Sequence, residues 1–266
     1  MSERTSWEQM PAAVHDAVTA RFGAFYTSHE ATGGGSDSDC TSWVYLNDGD
    51  ALFAKGVLLH HVDKLQRLDL EAAINPWTPS CTPRLRGRIR TAGWDVLLFE
   101  VVGTREWAVF EPDWPDLPLV ATALDSLSRC AAPPLPLATL RDRWEDFCEP
   151  SDQPLLTGGA LVHSDPAATN FVMSDDQAYL VDWTNPLLGP AWADAMLWGM
   201  RLISDGGQTP EQAAEWTAKV PAFATAPREA VRVATLAEAR MCDAFADPGQ
   251  PHPMAAAAHA WAAHWS

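Results

Sequence analysis

The stretch Leu161–Trp183, LVHSDPAATNFVMSDDQAYLVDW, decides how this chain is read. Its apolar lead-in, Leu161 and Val162, delivers His163 and Asp165 into a short loop, and Asn170 follows five residues after Asp165. Phe171-Val172-Met173 then reads as a short strand, Ser174-Asp175-Asp176 as a turn, and Ala178 to Val181 as a second strand ending on Asp182. A tight hairpin of this kind returns Asp182 to the neighbourhood of Asn170. Three oxygen-bearing side chains able to take a proton or a metal thus fall within eighteen positions. A loop of this composition can also be turn chemistry alone, with Asp and Asn closing Asx turns around the hairpin.

Phosphoryl transfer needs such a set: one carboxylate to orient and deprotonate an attacking hydroxyl, and an amide oxygen with a second carboxylate to hold Mg²⁺ on nucleotide phosphates. The segment HSDPAATN resembles the H-x-D-x-x-x-x-N catalytic loop of the aminoglycoside phosphotransferase and small-molecule kinase family, a branch of the protein-kinase-like fold. VDW, residues 181–183, resembles the family's I-D-[WF] segment. The resemblance implies that Asp165 is the catalytic base, that Asn170 and Asp182 are Mg²⁺ ligands, and that His163 steadies the loop. Two positions depart from the family's pattern: Ser164 stands where Gly is usual, and Pro166 where Leu or a similar residue is usual. Serine is small, so the loop is expected to persist.

The chain has 266 residues, enough for one large domain or two lobes, and 47% hydrophobic content supports sizeable cores. The start, MSERTSWEQMP, lacks the basic opening and apolar run of a signal peptide, and no apolar stretch approaches bilayer length, so a cytoplasmic location is expected. Cys40, Cys81, Cys130, Cys148 and Cys242 are scattered and odd in number, which indicates neither a disulfide framework nor a zinc site. The formal net charge of −17, without a basic run, argues against nucleic acid and anionic membrane as partners. Such a field welcomes a cationic small molecule, although an acidic excess can also serve solubility alone.

In the N-terminal third, Ser6 and Gln9 read as a capping box, and Val14, Val18 and Phe22 place an amphipathic helix over residues 6–22. Asn47-Asp48-Gly49-Asp50 between apolar runs signals a hairpin. Gly33-Gly34-Gly35 sits where the kinase fold has its phosphate-covering loop but does not follow G-x-G-x-x-G, and reads equally well as an ordinary turn. Lys55, one of only three lysines, lies inside the run Leu52–Val57, where a strand would bury it. A buried ammonium is costly unless paired with anions. The kinase fold supplies such a lysine to the α- and β-phosphates, held by a Glu of the next helix. Periodicity at Val62, Leu65, Leu68 and Ala72 predicts that helix, with Glu71 as the partner of Lys55 and Asp69 as the competing acid. The other reading of Lys55 is an edge-strand lysine that discourages aggregation. Arg84–Thr91 and Trp94–Val102 read as two further strands with Ala92-Gly93 as their turn, and Phe99–Gly103 as the hinge that meets the nucleotide base.

Beyond the hinge, helices are expected over Leu119–Cys130, Leu140–Phe147, a segment after Gly189, Ala213–Val220, Arg228–Phe245 and Met254–Trp265. Thr209-Pro210-Glu211-Gln212 is the clearest helix start. Gly189–Asp194 resembles the family's G-x-x-W-x-D opening, in which the Asp buttresses the catalytic loop. Trp192, Trp198, Trp216, Trp261 and Trp265 read first as packing residues and second as candidates to line a substrate pocket, and His252, His259 and His264 as surface or packing histidines. The expected fold is α/β in the α+β sense and bilobal, with a nucleotide-binding antiparallel-sheet lobe over 1–102 and a mainly helical catalytic and substrate-binding lobe over 103–266. The expected function is ATP- or GTP-dependent, Mg²⁺-dependent phosphorylation of a small-molecule hydroxyl. The acidic balance favours a cationic antibiotic such as an aminoglycoside as acceptor, with Glu238 and Asp243 as possible ammonium partners. A metabolic kinase of choline, homoserine or a sugar, and a non-catalytic nucleotide-binding pseudokinase, are the alternatives, with a metal-dependent hydrolase that uses the same acids without nucleotide ranked last.

Overall fold

The computed structural model describes residues 5–27, 37–104, 107–246 and 252–266. The chain divides into two compact units, the first made of Met1–Pro76, Pro83–Val102 and Asp182–Asn185, the second of Trp77–Thr82, Gly103–Val181 and Pro186–Ser266. Among the described residues no helix is long and apolar enough to cross a membrane.

In the first unit the Ser6/Gln9 box closes a 3₁₀ turn over Trp7–Gln9, and helix α1 runs separately over Ala12–Phe22. One continuous helix from Ser6 does not form because Met10 precedes Pro11. A proline excludes the residue before it from the helical region, and Met10 is extended at φ −66°, ψ 150°. Strands β1 (Phe25–Thr27), β2 (Cys40–Leu46) and β3 (Ala51–Leu58), helix α2 (Val62–Ile74), and strands β4 (Leu85–Thr91) and β5 (Trp94–Glu100) complete the unit. The strands form one antiparallel sheet in the order β1-β2-β3-β5-β4. Its tight turns use left-handed backbone at Gly49 (φ 95°) and at Ala92-Gly93 (φ 49° and 82°), as their sequences predict. The Gly33–Ser36 part of the glycine segment lies outside the described residues.

Val14 and Val18 of α1 join Val44, Leu52, Ala54, Val96 and Leu98 in the core on one sheet face. Arg21 donates to the carbonyls of Arg86 and Arg88 at 3.3 and 3.5 Å, so α1 also occupies backbone acceptors of edge strand β4. Helix α2 covers the other face through Leu68, Glu71 and Ile74, with Leu68 packed on Val57, Leu97 and Phe99. Val62, expected on the apolar side, is 58% exposed. At 3.6 residues per turn it lies about 120° around the helix from Leu68, off the docking stripe.

The second unit begins with α3 (Leu117–Ser128) and α4 (Leu140–Trp144), the latter capped by Thr139, whose hydroxyl accepts from the Asp142 N–H at 3.1 Å. Three-residue strand β6 (Ala160–Val162) leads into the loop, β7 (Phe171–Met173) and β8 (Ala178–Leu180) make the expected hairpin, and β9 (Leu187–Gly189) pairs antiparallel with β6. The β6–β9 pair is absent from the sequence expectation because three residues carry too little alternation to register as a strand. It brings Gly158 so close to Gly189 that an added Cβ would lie 2.3 Å from the Gly189 carbonyl carbon. Helices α5 (Ala193–Ser204), α6 (Pro210–Thr217), α7 (Pro221–Ala224), α8 (Arg228–Ala244) and α9 (Ala255–Trp265) follow. Trp198 and Trp261 are buried among them, and Trp261 Nε1 donates to the Met196 carbonyl at 3.0 Å.

Candidate active site

Lys55 sits on β3 opposite Thr41 of β2 and Leu97 of β5, so it belongs to an interior strand and not to an edge. Its Nζ lies 2.8 Å from Glu71 Oε2 and 2.6 Å from Asp182 Oδ1. The Lys55 and Glu71 side chains are only 9% and 6% exposed, against 38% for Asp182. Burial by itself would favour the neutral amine, but the two carboxylates outweigh it and raise the Lys55 pKa above its ordinary value. The Glu71 carboxyl is also raised, first by burial and further by Asp182, with Lys55 opposing both. The expected Lys55–Glu71 pair is therefore present, whereas Asp69 turns away to pair with Arg88. Asp182 adopts left-handed backbone at φ 67°.

Helix α2 is fixed at its start by a group that the sequence reading missed. The buried Asp39 carboxylate accepts from Lys64 Nζ at 2.7 Å, His61 Nδ1 at 2.7 Å and the Leu58 N–H at 2.9 Å. Burial pushes the Asp39 pKa up, yet these donors pull it below the usual carboxylate range. The arrangement holds the first turn of α2 against the sheet and thereby helps to set the position of Glu71.

In the second unit, β6 delivers the chain to the loop and Asp194, in the first turn of α5, grips it. Asp194 Oδ2 accepts from the His163 N–H at 2.9 Å and Oδ1 from the Ser164 N–H at 2.8 Å. This is the buttressing that the G-x-x-W-x-D likeness implies. Asp194 is buried, which raises its pKa, and the two N–H groups partly offset the rise. Ser164 has φ 72°, a left-handed conformation in which glycine is unstrained. His163 is buried, and its Nε2 donates to the Val181 carbonyl at 2.9 Å, which ties the loop to the end of β8.

Asp165 is half exposed. Asn170, closing a 3₁₀ turn over Ala168–Asn170, donates its amide to the Asp165 carbonyl at 2.9 Å and to Asp165 Oδ2 at 3.3 Å. Arg201 of α5 donates to Asp165 Oδ1 at 2.6 Å. The sequence reading passed over Arg201, although a single arginine in the apolar run Met196–Ile203 is a usable signal of an internal partner. Glu238 and Asp243, expected as possible ammonium partners, are both engaged. Glu238 is buried and accepts from Trp144 Nε1 at 2.7 Å and Arg143 Nη2 at 3.2 Å, and Asp243 pairs with His259 at 2.9 Å.

No protein-family model matches the sequence, and no curated protein does either. Solved structures do. A GDP complex of a mutant aminoglycoside 2'-phosphotransferase IIIa superposes with a TM-score of 0.56 at 14% identity, covering 96% of this chain and 94% of that one. The chain has the protein-kinase-like fold of such phosphotransferases. An aminoglycoside 3'-phosphotransferase of type VIII gives 0.55 at 16% identity over 85% of this chain and 97% of its own. A macrolide 2'-phosphotransferase from Brachybacterium faecium gives 0.52 at 17% identity over 94% and 97%. The resemblance read from the loop is thus borne out at the level of fold.

Among the described residues, no three His, Cys, Asp or Glu side chains gather into a metal-holding group. A metal at the kinase-like loop would draw on an amide oxygen, a carboxylate, phosphate oxygens and water. That donor chemistry fits Mg²⁺, which prefers hard oxygen ligands and retains water. Asn170 uses its NH₂ on Asp165, which leaves its Oδ1 as the oxygen of the right kind.

Proposed function

We propose that this chain is a phosphotransferase that moves the γ-phosphoryl group of ATP or GTP to a hydroxyl of a small molecule, with a cationic antibiotic such as an aminoglycoside as the favoured acceptor. The observation that carries the reading is Lys55, an interior-strand ammonium held within 2.8 Å of Glu71 and 2.6 Å of Asp182. A lysine kept only for solubility has no need of two carboxylates in a buried setting. In this reading residues 1–102 are the nucleotide-binding lobe, in which Lys55, oriented by Glu71, meets the α- and β-phosphates. Residues 103–266 form the catalytic and substrate-binding lobe. Asn170 and Asp182 would hold Mg²⁺, which when bound neutralises charge on the phosphates.

Asp165 takes the proton of the acceptor hydroxyl as its oxygen attacks the γ-phosphorus, and the nucleoside diphosphate leaves with the electrons of the broken P–O bond. Arg201 holds Asp165 Oδ1 at 2.6 Å and the Asn170 amide reaches Oδ2 only at 3.3 Å, so Oδ2, the more weakly engaged oxygen, is the one presented to the hydroxyl. The net charge of −17, without a basic run, supports a cationic acceptor and argues against nucleic acid or an anionic membrane as partner. Purified protein with Mg²⁺ and either nucleotide would be screened for nucleoside diphosphate release against aminoglycosides, macrolides, choline, homoserine and sugars. Acceptor-dependent release that disappears in Asp165→Ala is the expected result. Nucleotide binding without release on any acceptor would overturn it in favour of a pseudokinase.

A further inference from the structure

Asp194 holds the N–H side of Ser164, and the carbonyl side is held by a different part of the second unit. Arg143 of α4 donates from Nη1 to the Ser164 carbonyl at 3.4 Å and from Nη2 to Glu238 Oε1 at 3.2 Å. Glu238 of α8 has a side chain only 6% exposed, and its other oxygen accepts from Trp144 Nε1 at 2.7 Å. We propose that Arg143 and Glu238 are positioning residues for the loop that carries Asp165.

Three observations lead there. The Glu238 carboxylate is buried while the Arg143 side chain is 28% exposed, and a pair that buries a charge is a poor source of stability because an apolar replacement of equal volume often does as well, so stability alone does not explain this one. The far side of the guanidinium reaches a backbone carbonyl, and that carbonyl belongs to the residue immediately before Asp165. Ser164 is also in left-handed backbone at φ 72°, a conformation that persists only where its surroundings over-determine it. With the N–H on Asp194 and the carbonyl on Arg143, both peptide groups flanking the Ser164 Cα are fixed. The direction in which Asp165 leaves the loop is thereby fixed too. Glu238, itself held by Trp144, in turn holds the guanidinium, so α8, far along the chain, sets the aim of the loop.

The proposal rests on reading Asp165 as the base, and its test keeps the two separable. Arg143→Met, Arg143→Lys and Glu238→Gln would be made in the full chain and compared with wild type in two ways. The first is steady-state turnover with the nucleotide and acceptor found for wild type. The second is amide hydrogen exchange across residues 163–165 relative to β3 and β5. Arg143→Met is expected to lower kcat roughly tenfold or more, the range of one charge-assisted hydrogen bond, with nucleotide KM unchanged. Exchange should quicken at 163–165 and stay unchanged in the sheet. Glu238→Gln keeps an acceptor for Trp144 and should show a smaller version of both effects, and Arg143→Lys should recover part of each. Unchanged kcat, unchanged exchange, or faster exchange spread evenly over the chain would each overturn the proposal. If wild type transfers phosphate to no acceptor, the reading of Asp165 fails, and the exchange data alone decide whether the pair positions the loop.

Discussion

Replacing Asp194 measures how strongly the loop depends on its buttress. Asp194→Ala strips the acceptor from two buried N–H groups, those of His163 at 2.9 Å and Ser164 at 2.8 Å. An unsatisfied buried donor costs about 1–3 kcal/mol, so the two together set a loss of roughly 2–6 kcal/mol. Against this, removing a buried carboxylate relieves the desolvation that raises the Asp194 pKa, which brings the expected loss to about 2–4 kcal/mol. For a chain of this size that corresponds to a fall of about 5–15 °C in Tm by calorimetry. Asp194→Asn keeps one acceptor oxygen and turns an NH₂ towards the other N–H, so it should lose about half as much. The sign of the pH dependence is a second check. A carboxyl with a raised folded-state pKa makes the folded state bind more protons, so its contribution to stability declines as pH rises from about 4 towards the raised value. Both variants should lose that decline. A Tm within a degree of wild type for Asp194→Ala would refute the reasoning, because it would mean that neither N–H depends on the carboxylate.

Ser164→Gly should leave Tm unchanged or raise it by a few degrees, since relief of a left-handed L-residue, worth about 1–2 kcal/mol, is partly cancelled by the freer unfolded chain. Ser164→Val should destabilise clearly, and equal effects of the two in calorimetry would show that φ 72° is not the constraint. Lys55→Met leaves Glu71 buried without its ammonium, a loss of roughly 3–5 kcal/mol while Glu71 is ionised. Because the Glu71 pKa is raised, it protonates more readily, so the deficit measured by urea unfolding should shrink from pH 8 towards pH 5. A deficit equal at both pH values would count against the pair. Gly199→Ala in α5 would put a Cβ 2.4 Å from the buried ring of Trp261. Overpacking of about 1–3 kcal/mol should exceed the gain of about 1 kcal/mol in helix propensity, and a net gain in urea unfolding would show that α9 yields easily.

What the sequence made legible had local or periodic causes. Gly49 and Gly93 announce their turns because backbone with positive φ selects for glycine. Lys55 stood out because an ammonium inside an apolar strand demands anions, and Glu71 because α2 carries only one other acid near that stripe. The partners that escaped are joined across the chain: Arg201 to Asp165 over 36 residues, Arg143 to Glu238 over 95, and Lys55 to Asp182 over 127. No spacing rule reaches that far. Glu238 was misjudged for the same reason, since its exposure depends on Trp144 and Arg143, which only tertiary packing brings to it.

Strain in the backbone joins these observations. Ser164 and Asp182 both hold positive φ, at 72° and 67°, and each bears on a side chain to which the proposed chemistry assigns a role. Such conformations are rare for residues other than glycine and survive where surrounding bonds fix them. Ser164 is fixed by Asp194 and Arg143 through its flanking peptide groups, and Asp182 by Lys55 through its carboxylate. The buried charges around these two residues are costly in themselves and would be weak choices if stability were the only demand on them. Their cost is reasonable if the demand is aim: Asp165 must leave the loop in one direction, and Asp182 must stand against the ammonium. The acids and bases that the chain keeps inside are therefore better explained by where they hold the backbone than by how much they stabilise it.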